Sequence, residues 1–346
     1  MTAPSIDRSP IPPPALLDAL TTPRGRVLML GHVHPDGDVL GTLLGLGQAL
    51  EAAGWPVTYA GPHPVPEVLD FLPGADRWQV WQRPPCAFDV LVLTDCPNDE
   101  RTEGLLEASR APGSRVLNID HHPDNRLYGT VNWIDAGAAA TGEMVFDLIE
   151  ALRLGVTPAI AMNLFTAIHT DTGSFRYSNT TARTFRIAGE LTVRGAQPAL
   201  VADRLYQRRP VDALETLGEV LQRVNVSADG RVAWLTVPRA LASDAFMSAE
   251  DLVTYPRSIE GVQVAALLRE EENGRIKAGW QSRGNHFQRV NAAGGCPDHY
   301  DAHEFWPPRQ KRRAFARVPV RFRTERWVFA CDYGLSAAKV PVGSIG

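Results

Sequence analysis

Aspartate and histidine residues recur in the N-terminal half of this 346-residue chain at spacings that could assemble a metal site. The clusters are His32 with Asp36 and Asp38, Asp95, Asp120 with His121 and His122, and Asp171. Carboxylates and imidazoles without thiolates suit Mn²⁺, and next Mg²⁺ or Co²⁺, rather than a structural zinc ion. A carboxylate that bridges two such cations can hold them about 3.5–4 Å apart, where they activate a water and clamp a phosphoryl oxygen. These residues therefore predict phosphoester hydrolysis at a two-metal site.

Each cluster taken alone has a plainer explanation. The sequence Asp36-Gly37-Asp38 would favour an Asx turn, a single Asp95 could cap a helix or turn, and adjacent imidazoles could be polar surface. The joint pattern favours function, because caps alone do not explain carboxylates and imidazoles after three separate strand-like runs.

Those runs predict the elements that position the clusters. Residues 26–31, 89–94 and 115–119 are apolar and read as strands of a parallel sheet buried on both faces. Ligands of such sheets bind at the carboxyl ends of the strands. Apolar helices are predicted over 39–53, 141–151 and 158–168, and three glycines in the first of these predict close packing on the sheet. We therefore expect an α/β fold with a parallel-sheet N-terminal domain.

Composition is compatible with a globular enzyme. Apolar residues make up 44% of the chain and charged residues 21%, and the net charge is −4. The four cysteines form no CxxC pair, which suits a reducing cytosol. Neither a signal peptide nor a run of about 18 apolar residues is recognisable, so we expect a cytoplasmic protein without membrane association.

The chain divides into five predicted regions. We expect a leader over 1–23 with a helix around 15–20, a catalytic domain over 24–206, and a bridging helix over 207–224. A smaller mixed α/β domain follows over 225–297, with hairpins turning at Asp229-Gly230 and Asn273-Gly274. An atypical basic tail occupies 298–346.

Four segments together resemble the motifs of the DHH phosphoesterase superfamily. They are residues 31–38, Asp95 with Arg101, residues 118–122 with Asn125, and residues 171–176. Residues 138–143 and 175–180 are similar to the nanoRNase/pAp-phosphatase branch, which hydrolyses short oligoribonucleotides. The resemblance spans about residues 26–290 and is most specific in the first 200.

The resemblance implies a role for each motif residue. The implied ligands are His32, Asp36 and Asp95 for one Mn²⁺, and Asp38, Asp95, His121 and Asp171 for the other. Asp95 would therefore bridge the two ions. Asp120 is expected to orient an imidazole, and His122 to contact the scissile phosphate and assist the leaving oxygen.

Three further basic residues lie near these motifs. Arg101 is expected to bind substrate phosphate, with a structural ion pair as the alternative. His34 and His169 fall outside the ligand pattern, and local packing or a supporting role behind the ligands is expected for both.

The resemblance weakens in the second domain. The family has an Arg-Ser pair at a strand end, then a glycine-rich turn closing in Gly-Gly-His, and both bind the substrate's phosphate or base. Here Gln281 stands where the Arg is expected, although Ser282 and Arg283 follow. The turn is reduced to residues 294–299, ending in His299. We expect Ser282, Arg283 and His299 to contact substrate in a domain that is degenerate at its end.

The tail has two interpretations. Between Arg309 and Arg326 it contains eight basic residues and one acidic residue. This could be a cationic arm that binds nucleic acid, or a divergent or frame-shifted segment without an evolved role. The second is favoured, because the family's substrate loop is lost at the same point.

The predicted activity is hydrolysis of short oligoribonucleotides to 5′-mononucleotides and of pAp (3′-phosphoadenosine 5′-phosphate) to AMP. Alternatives are a single-strand DNA or RNA exonuclease, a cyclic-dinucleotide or pApA hydrolase, a pyrophosphatase, and a catalytically impaired nucleotide-binding protein. Short RNA and nucleotides are the expected partners, and a homodimer stays open.

Overall fold

A computed structural model describes residues 11–21, 25–241, 249–270, 276–282, 300–301, 321–323 and 326–328. The chain divides into two compact units, residues 1–208 and 209–346. Each unit has its own sheet.

A six-stranded parallel sheet forms the centre of the first unit. Its strands are β1 (Val27–Leu30), β2 (Val57–Gly61), β3 (Gln79–Val80), β4 (Phe88–Thr94), β5 (Arg110–Asp120) and β6 (Val131–Ile134). The spatial order is β3-β2-β1-β4-β5-β6, so the direction of winding reverses between β1 and β4. The three predicted strands are confirmed as β1, β4 and β5. A reversal of this kind opens a crevice at the carboxyl ends of the strands, where ligands bind.

Seven α-helices are described in the first unit. They are α1 (Pro14–Thr21), α2 (Gly37–Ala52), α3 (Leu105–Ala108), α4 (Thr141–Ala151), α5 (Pro158–Asp171), α6 (Ala182–Val193) and α7 (Pro198–Tyr206). The predicted helix 141–151 is confirmed with the same bounds. The helix predicted at 39–53 begins two residues earlier, because the Asp36 carboxylate caps it by accepting from the backbone N–H groups of Asp38 and Val39, both at 3.0 Å. The helix predicted at 158–168 continues to Asp171.

Close packing of α2 involves a helix as well as the sheet. A Cβ at Gly41 would lie 2.4 Å from the Asn163 carbonyl oxygen of α5, and one at Gly45 would lie 3.0 Å from Leu164. Only Gly47, of the three glycines predicted to pack on the sheet, faces a strand, at Tyr59 of β2. The prediction was therefore wrong for Gly41 and Gly45, which instead let α5 approach the start of α2.

Part of the predicted leader belongs to the core of the first unit. Residues 14–21 form α1, and its Leu16, Ala19 and Leu20 are buried in the main apolar cluster. In the described part of the chain, no helix is long and apolar enough to cross a membrane.

The second unit contains a smaller mixed sheet. Its elements are α8 (Val211–Leu221), β7 (Val224–Val226), β8 (Val232–Val237), α9 (Ala249–Ser258), β9 (Val264–Glu270), β10 (Ile276–Ser282) and β11 (Tyr300–Asp301). The order is β11-β10-β9-β8-β7, with β8 and β9 parallel and the other pairs antiparallel. The hairpin around Asp229-Gly230 is confirmed by the pairing of β7 with β8, whereas the turn at 273–274 lies outside the described residues.

The structure describes the predicted bridging helix and a small part of the predicted basic tail. The helix expected over 207–224 is α8, which is shorter and is followed directly by β7. Of the tail, only β11 and the antiparallel pair β12 (Arg321–Arg323) and β13 (Arg326–Val328) are described. Both interpretations of the tail therefore stay predictions.

Candidate metal centre

Strand ends and helix ends meet at one edge of the first sheet. His32 follows β1, Asp95 follows β4, and Asp120 ends β5. Asp36 and Asp38 lie at the start of α2, and Asp171 ends α5. Gly37 is required there, because a Cβ at this position would lie 2.5 Å from the Thr170 hydroxyl oxygen. The absence of a side chain thus lets the start of α2 approach the end of α5.

All six predicted metal ligands fall into two groups of possible donors. His32, Asp36 and Asp95 form one group, and Asp38, His121 and Asp171 form the other. Within each group the ligand atoms lie within 4.8 Å of one another. Asp95 adjoins the second group as well, since its Oδ1 is 3.3 Å from His121 Nε2. This arrangement places the Asp95 carboxylate where a bridging ligand is expected.

The donor set fits divalent cations. His32 is buried and its Nδ1 lies 2.7 Å from the Val33 carbonyl oxygen, whereas its Nε2 has no hydrogen-bond partner among the described residues. A buried polar atom without a partner is costly, which is consistent with a ligand role for Nε2. The other donors in the two groups are carboxylate oxygens and one further imidazole, as hard or borderline cations require.

The Asp38 carboxylate is fixed by the start of α4. Its Oδ2 accepts from the Thr141 N–H at 2.7 Å, and its Oδ1 accepts from the Gly142 N–H at 2.9 Å. The positive end of the helix dipole also favours a negative charge at this position. Residues 138–143 stand out in the sequence by their similarity to the family, but their contact with Asp38 was not predicted, because Thr141 lies 103 residues from it.

Asp120 lies directly against His122 rather than among the ligands of the two predicted groups. Its Oδ1 is 2.7 Å from His122 Nδ1 and also accepts from the His122 N–H at 3.2 Å. Its Oδ2 accepts from Asn125 Nδ2 at 2.6 Å. The imidazole that Asp120 orients is therefore that of His122. One geometry was not predicted: His122 Nδ1 is also 3.4 Å from Asp95 Oδ1, so His122 forms a third group of possible donors with Asp95 and His121.

Crowded carboxylates and imidazoles perturb one another in the metal-free site. Burial and the neighbouring Asp95 carboxylate raise the pKa of Asp38 well above its usual value. Burial also raises the pKa of Asp171 to about 7, against the opposing effect of His121. Burial lowers the pKa of His121, but Asp171 and Asp95 outweigh it and hold that pKa well above 6.5. A cation that binds these groups would displace their protons, as expected of a metal site.

The two remaining imidazoles of the site differ from each other. Burial lowers the pKa of His122, but Asp95 and Asp120 outweigh it and raise that pKa to about 9. The pKa of His32 is lowered by burial and by the nearby Arg101 guanidinium. His32 is therefore favoured in the neutral form that binds metals, and His122 in the protonated form that can donate.

Arg101 and the two other histidines occupy distinct surroundings. Arg101 Nη2 lies 3.4 Å from His32 Nδ1, so its guanidinium is at the rim of the first donor group. His34 packs edge-on against His63 with 4.3 Å between ring centroids. His169 lies between Phe165 and Phe175, and burial and Arg176 lower its pKa to about 4. The expectation of local packing is consistent with the places of both histidines.

Of the three predicted substrate residues of the second unit, the structure describes the backbone of one. Ser282 ends β10, whose backbone pairs with β9, and Arg283 and His299 lie outside the described residues. Their roles stay predictions.

Comparison with known proteins finds a family that matches part of the first unit and relatives that match most of the chain. Residues 26–168 match the DHH family, N-terminal domain. The chain is 35% identical over 269 residues to a bifunctional oligoribonuclease and PAP phosphatase NrnA of Thermus thermophilus, covering 77% of this chain and 79% of that protein. It is 27% identical over 282 residues to the protein of the same name from Bacillus subtilis, covering 78% and 87%.

A solved structure shares the fold. A crystal structure of an exopolyphosphatase-related protein from Bacteroides fragilis is similar with a TM-score of 0.73 at 24% identity, over 82% of this chain and 88% of that one. The similarity confirms the expected α/β architecture.

Proposed function

The chain belongs to the DHH family of phosphoesterases, and we propose that it hydrolyses short oligoribonucleotides to 5′-mononucleotides and pAp to AMP, using two Mn²⁺ ions. Mg²⁺ or Co²⁺ would be the alternative cations. The substrate part of the proposal is supported by the names of the Thermus and Bacillus relatives, which are bifunctional oligoribonucleases and PAP phosphatases.

One observation carries the proposal: two groups of buried and half-buried donors meet at Asp95 on the carboxyl edge of the sheet. His32, Asp36 and Asp95 would hold one cation, and Asp38, His121 and Asp171 would hold the other with Asp95. Two bound cations would supply an activated water and would stabilise charge on a phosphoryl oxygen.

The residues around the donors suit the remaining steps. His122 carries its proton toward the substrate on Nε2 when Asp120 engages Nδ1, and it can pass that proton to the leaving oxygen. Arg101, beside His32, is placed to pair with a phosphate oxygen of the substrate. A catalytically impaired nucleotide-binding protein would be expected to lack a ligand, yet each predicted ligand is present and close to its partners.

The test is hydrolysis of a labelled RNA dinucleotide and of pAp by the full chain, with Mn²⁺ and with EDTA. We expect mononucleotide and AMP with Mn²⁺ and none with EDTA. Asp95→Asn should abolish hydrolysis and weaken the binding of both ions, because one residue is proposed to touch both.

Two results would contradict the proposal. Wild-type turnover by the Asp95→Asn variant would contradict the two-metal assignment. Hydrolysis of inorganic pyrophosphate with no action on either nucleotide substrate would contradict the proposed substrate class.

A further inference from the structure

The backbone at Asp95 has a left-handed conformation that few residues with a side chain adopt. Its φ is +53°, in the left-handed region that L-residues other than glycine rarely adopt. Residues held in this region persist only where the surrounding structure imposes the conformation, and they concentrate at functional sites. The neighbours of Asp95 should therefore include groups that impose it.

Both sides of Asp95 are fixed by hydrogen bonds. On the preceding side, the Asp95 N–H donates to the Ile119 carbonyl oxygen at 3.0 Å, which continues the pairing of β4 with β5. On the following side, the carbonyl oxygen of Cys96 accepts from Tyr128 Oη at 2.9 Å and from the Nδ2 atoms of two asparagines. These are Asn118 at 3.1 Å and Asn125 at 3.3 Å. The chain is thus fixed immediately before and one residue after Asp95.

The three donors also hold one another. Asn118 Nδ2 donates to Tyr128 Oη at 2.9 Å, and Asn125 Nδ2 donates to Asn118 Oδ1 at 2.7 Å. A carbonyl oxygen has two lone pairs, and at Cys96 these accept from Tyr128 and Asn118. Asn125 Nδ2 has only two hydrogens and two nearer acceptors, Asn118 Oδ1 and Asp120 Oδ2, so its 3.3 Å approach to the Cys96 carbonyl adds little. Two side chains therefore fix the carbonyl next to Asp95, and Asn125 holds one of them in place.

We propose that Asn118 and Tyr128, with Asn125 holding Asn118, form a carbonyl clamp, which binds the Cys96 carbonyl and holds Asp95 in its left-handed conformation. The clamp sets where the Asp95 carboxylate lies between the two donor groups. Its members are positioning residues, since they act on the site through Asp95. The predicted loss of catalysis rests on the proposed two-metal function. The predicted change in the backbone conformation of Asp95 does not.

Asn125 couples the clamp to a second part of the site. Asn125 Nδ2 donates to Asn118 Oδ1 of the clamp and also to Asp120 Oδ2 at 2.6 Å, and Asp120 Oδ1 faces His122. One side chain therefore fixes both the bridging carboxylate and the proposed proton donor. Loss of Asn125 should disturb both, whereas loss of the Tyr128 hydroxyl should disturb Asp95 alone.

The test compares Tyr128→Phe with Tyr59→Phe in the full chain. Tyr59 is the control, because it is a tyrosine of the first unit whose hydroxyl also makes a hydrogen bond, to Glu51 Oε2 at 3.2 Å, outside the clamp. We expect Tyr128→Phe to fold, to bind Mn²⁺ about 10-fold more weakly, and to lose about 10- to 100-fold in kcat on an RNA dinucleotide, the usual range for a group supporting a metal ligand. KM should change less than about twofold, since no contact with substrate is removed.

A readout without metal separates the clamp from the proposed function. The ¹³C chemical shifts of Asp95 in the metal-free protein report its backbone conformation, and they should move in Tyr128→Phe but not in Tyr59→Phe. Asn125→Ala serves as the second variant if Tyr128→Phe does not fold, and its kcat should fall further than that of Tyr128→Phe.

Two outcomes distinguish the clamp from the proposed function. Unchanged Asp95 shifts, Mn²⁺ affinity and kcat in a folded Tyr128→Phe variant would overturn the clamp and leave the proposed function standing. Shifted Asp95 resonances and weakened Mn²⁺ binding, in a protein whose wild type cleaves no RNA dinucleotide, would support the clamp and overturn the proposed function.

Discussion

At the scale of single residues, His122 could be a proton donor or a metal ligand, and its contact with Asp120 favours the first role. Its Nδ1 lies 2.7 Å from Asp120 Oδ1, which leaves Nε2 to face a substrate. His122→Ala should therefore retain both Mn²⁺ ions and lose about 10²- to 10⁴-fold in turnover, the usual scale for a positioned acid or base. Calorimetric Mn²⁺ titration and dinucleotide turnover measure the two effects.

His122 also belongs to the third group of possible metal donors, and this membership suggests the result that would contradict the prediction. If His122→Ala bound one Mn²⁺ fewer than wild type, His122 would be a metal ligand together with Asp95 and His121. Its proposed role as a proton donor would then be wrong.

Proton release is the second residue-scale prediction. In the metal-free site the pKa of Asp171 is raised to about 7 by burial, and the pKa of His121 is held well above 6.5 by its carboxylate neighbours. Both groups must lose their protons to bind a cation. Mn²⁺ affinity should therefore rise as the pH rises through neutrality, and binding at or below pH 7 should release protons.

Calorimetry in two buffers of different ionisation enthalpy measures that release. An affinity independent of pH between about 6 and about 8.5, with no buffer dependence of the enthalpy, would contradict the assignment of these residues as ligands.

Residue type and strand-end position were enough to predict which side chains gather at this edge. His32, Asp95 and Asp120 follow apolar runs that are recognisable as buried strands, so their convergence follows from the fold class. The anchor of Asp38 on the Thr141 and Gly142 amides could not be predicted, because it depends on the packing of α4 against α2 across about 100 residues of sequence.

At the scale of elements, a buried ion-pair network joins α4 to α6. Arg183 of α6 donates to Glu143 at 2.5 Å and also pairs with Asp147, and its side chain is 10% exposed. Glu143 Oε2 in turn accepts from the Ala139 N–H at 3.3 Å, next to the turn of α4 that holds Asp38. The network therefore supports the part of α4 that reaches the metal centre.

Removal of Arg183 should be costly. Arg183→Ala leaves Glu143 and Asp147 as buried charges without their partner, and such changes cost about 3–5 kcal/mol. Arg110→Ala in the same unit is the control, because its pair with Glu107 is 37% and 83% exposed and should contribute at most about 1 kcal/mol. Urea unfolding measures both free energies, and an equal loss in the two variants would contradict a structural role for the network.

Helix ends show where sequence-based prediction of elements succeeds and where it stops. The bounds of α4 were predicted correctly because buried apolar residues recur along it at helical spacing. The last turn of α5 carries His169, Thr170 and Asp171, so the apolar pattern stops three residues before the helix does. The apolar pattern therefore does not reveal the helix end that contributes Asp171.

At the scale of the whole molecule, the two units differ in how well the sequence predicts them. The first unit carries the specific motifs and the matched family domain, whereas the substrate residues predicted in the second unit include Arg283 and His299, which lie outside the described residues. The hairpin at Asp229-Gly230 was predictable because Gly230 adopts a φ of +72°, which favours glycine. The basic tail has no comparable pattern, which is why its two interpretations stay open.

Substrate length is the property of the whole molecule that follows from the proposed function. Base stacking contributes about 1–3 kcal/mol where an aromatic platform exists, and the sequence has no regularly spaced aromatic row that could track a long strand. Nucleotides beyond a terminal phosphate and the first bases should therefore add little binding energy. We expect RNA of about two to five nucleotides to be the preferred substrate, with pAp cleaved more slowly.

The most direct test of that claim is kcat/KM of the full chain with Mn²⁺ on an RNA dinucleotide and on an RNA of about 40 nucleotides, assayed side by side. We expect kcat/KM to fall as the RNA becomes longer and to be far higher for the dinucleotide, with 5′-mononucleotides as the product. Equal efficiency on the two substrates would contradict it, and a processive exonuclease would then describe the protein better.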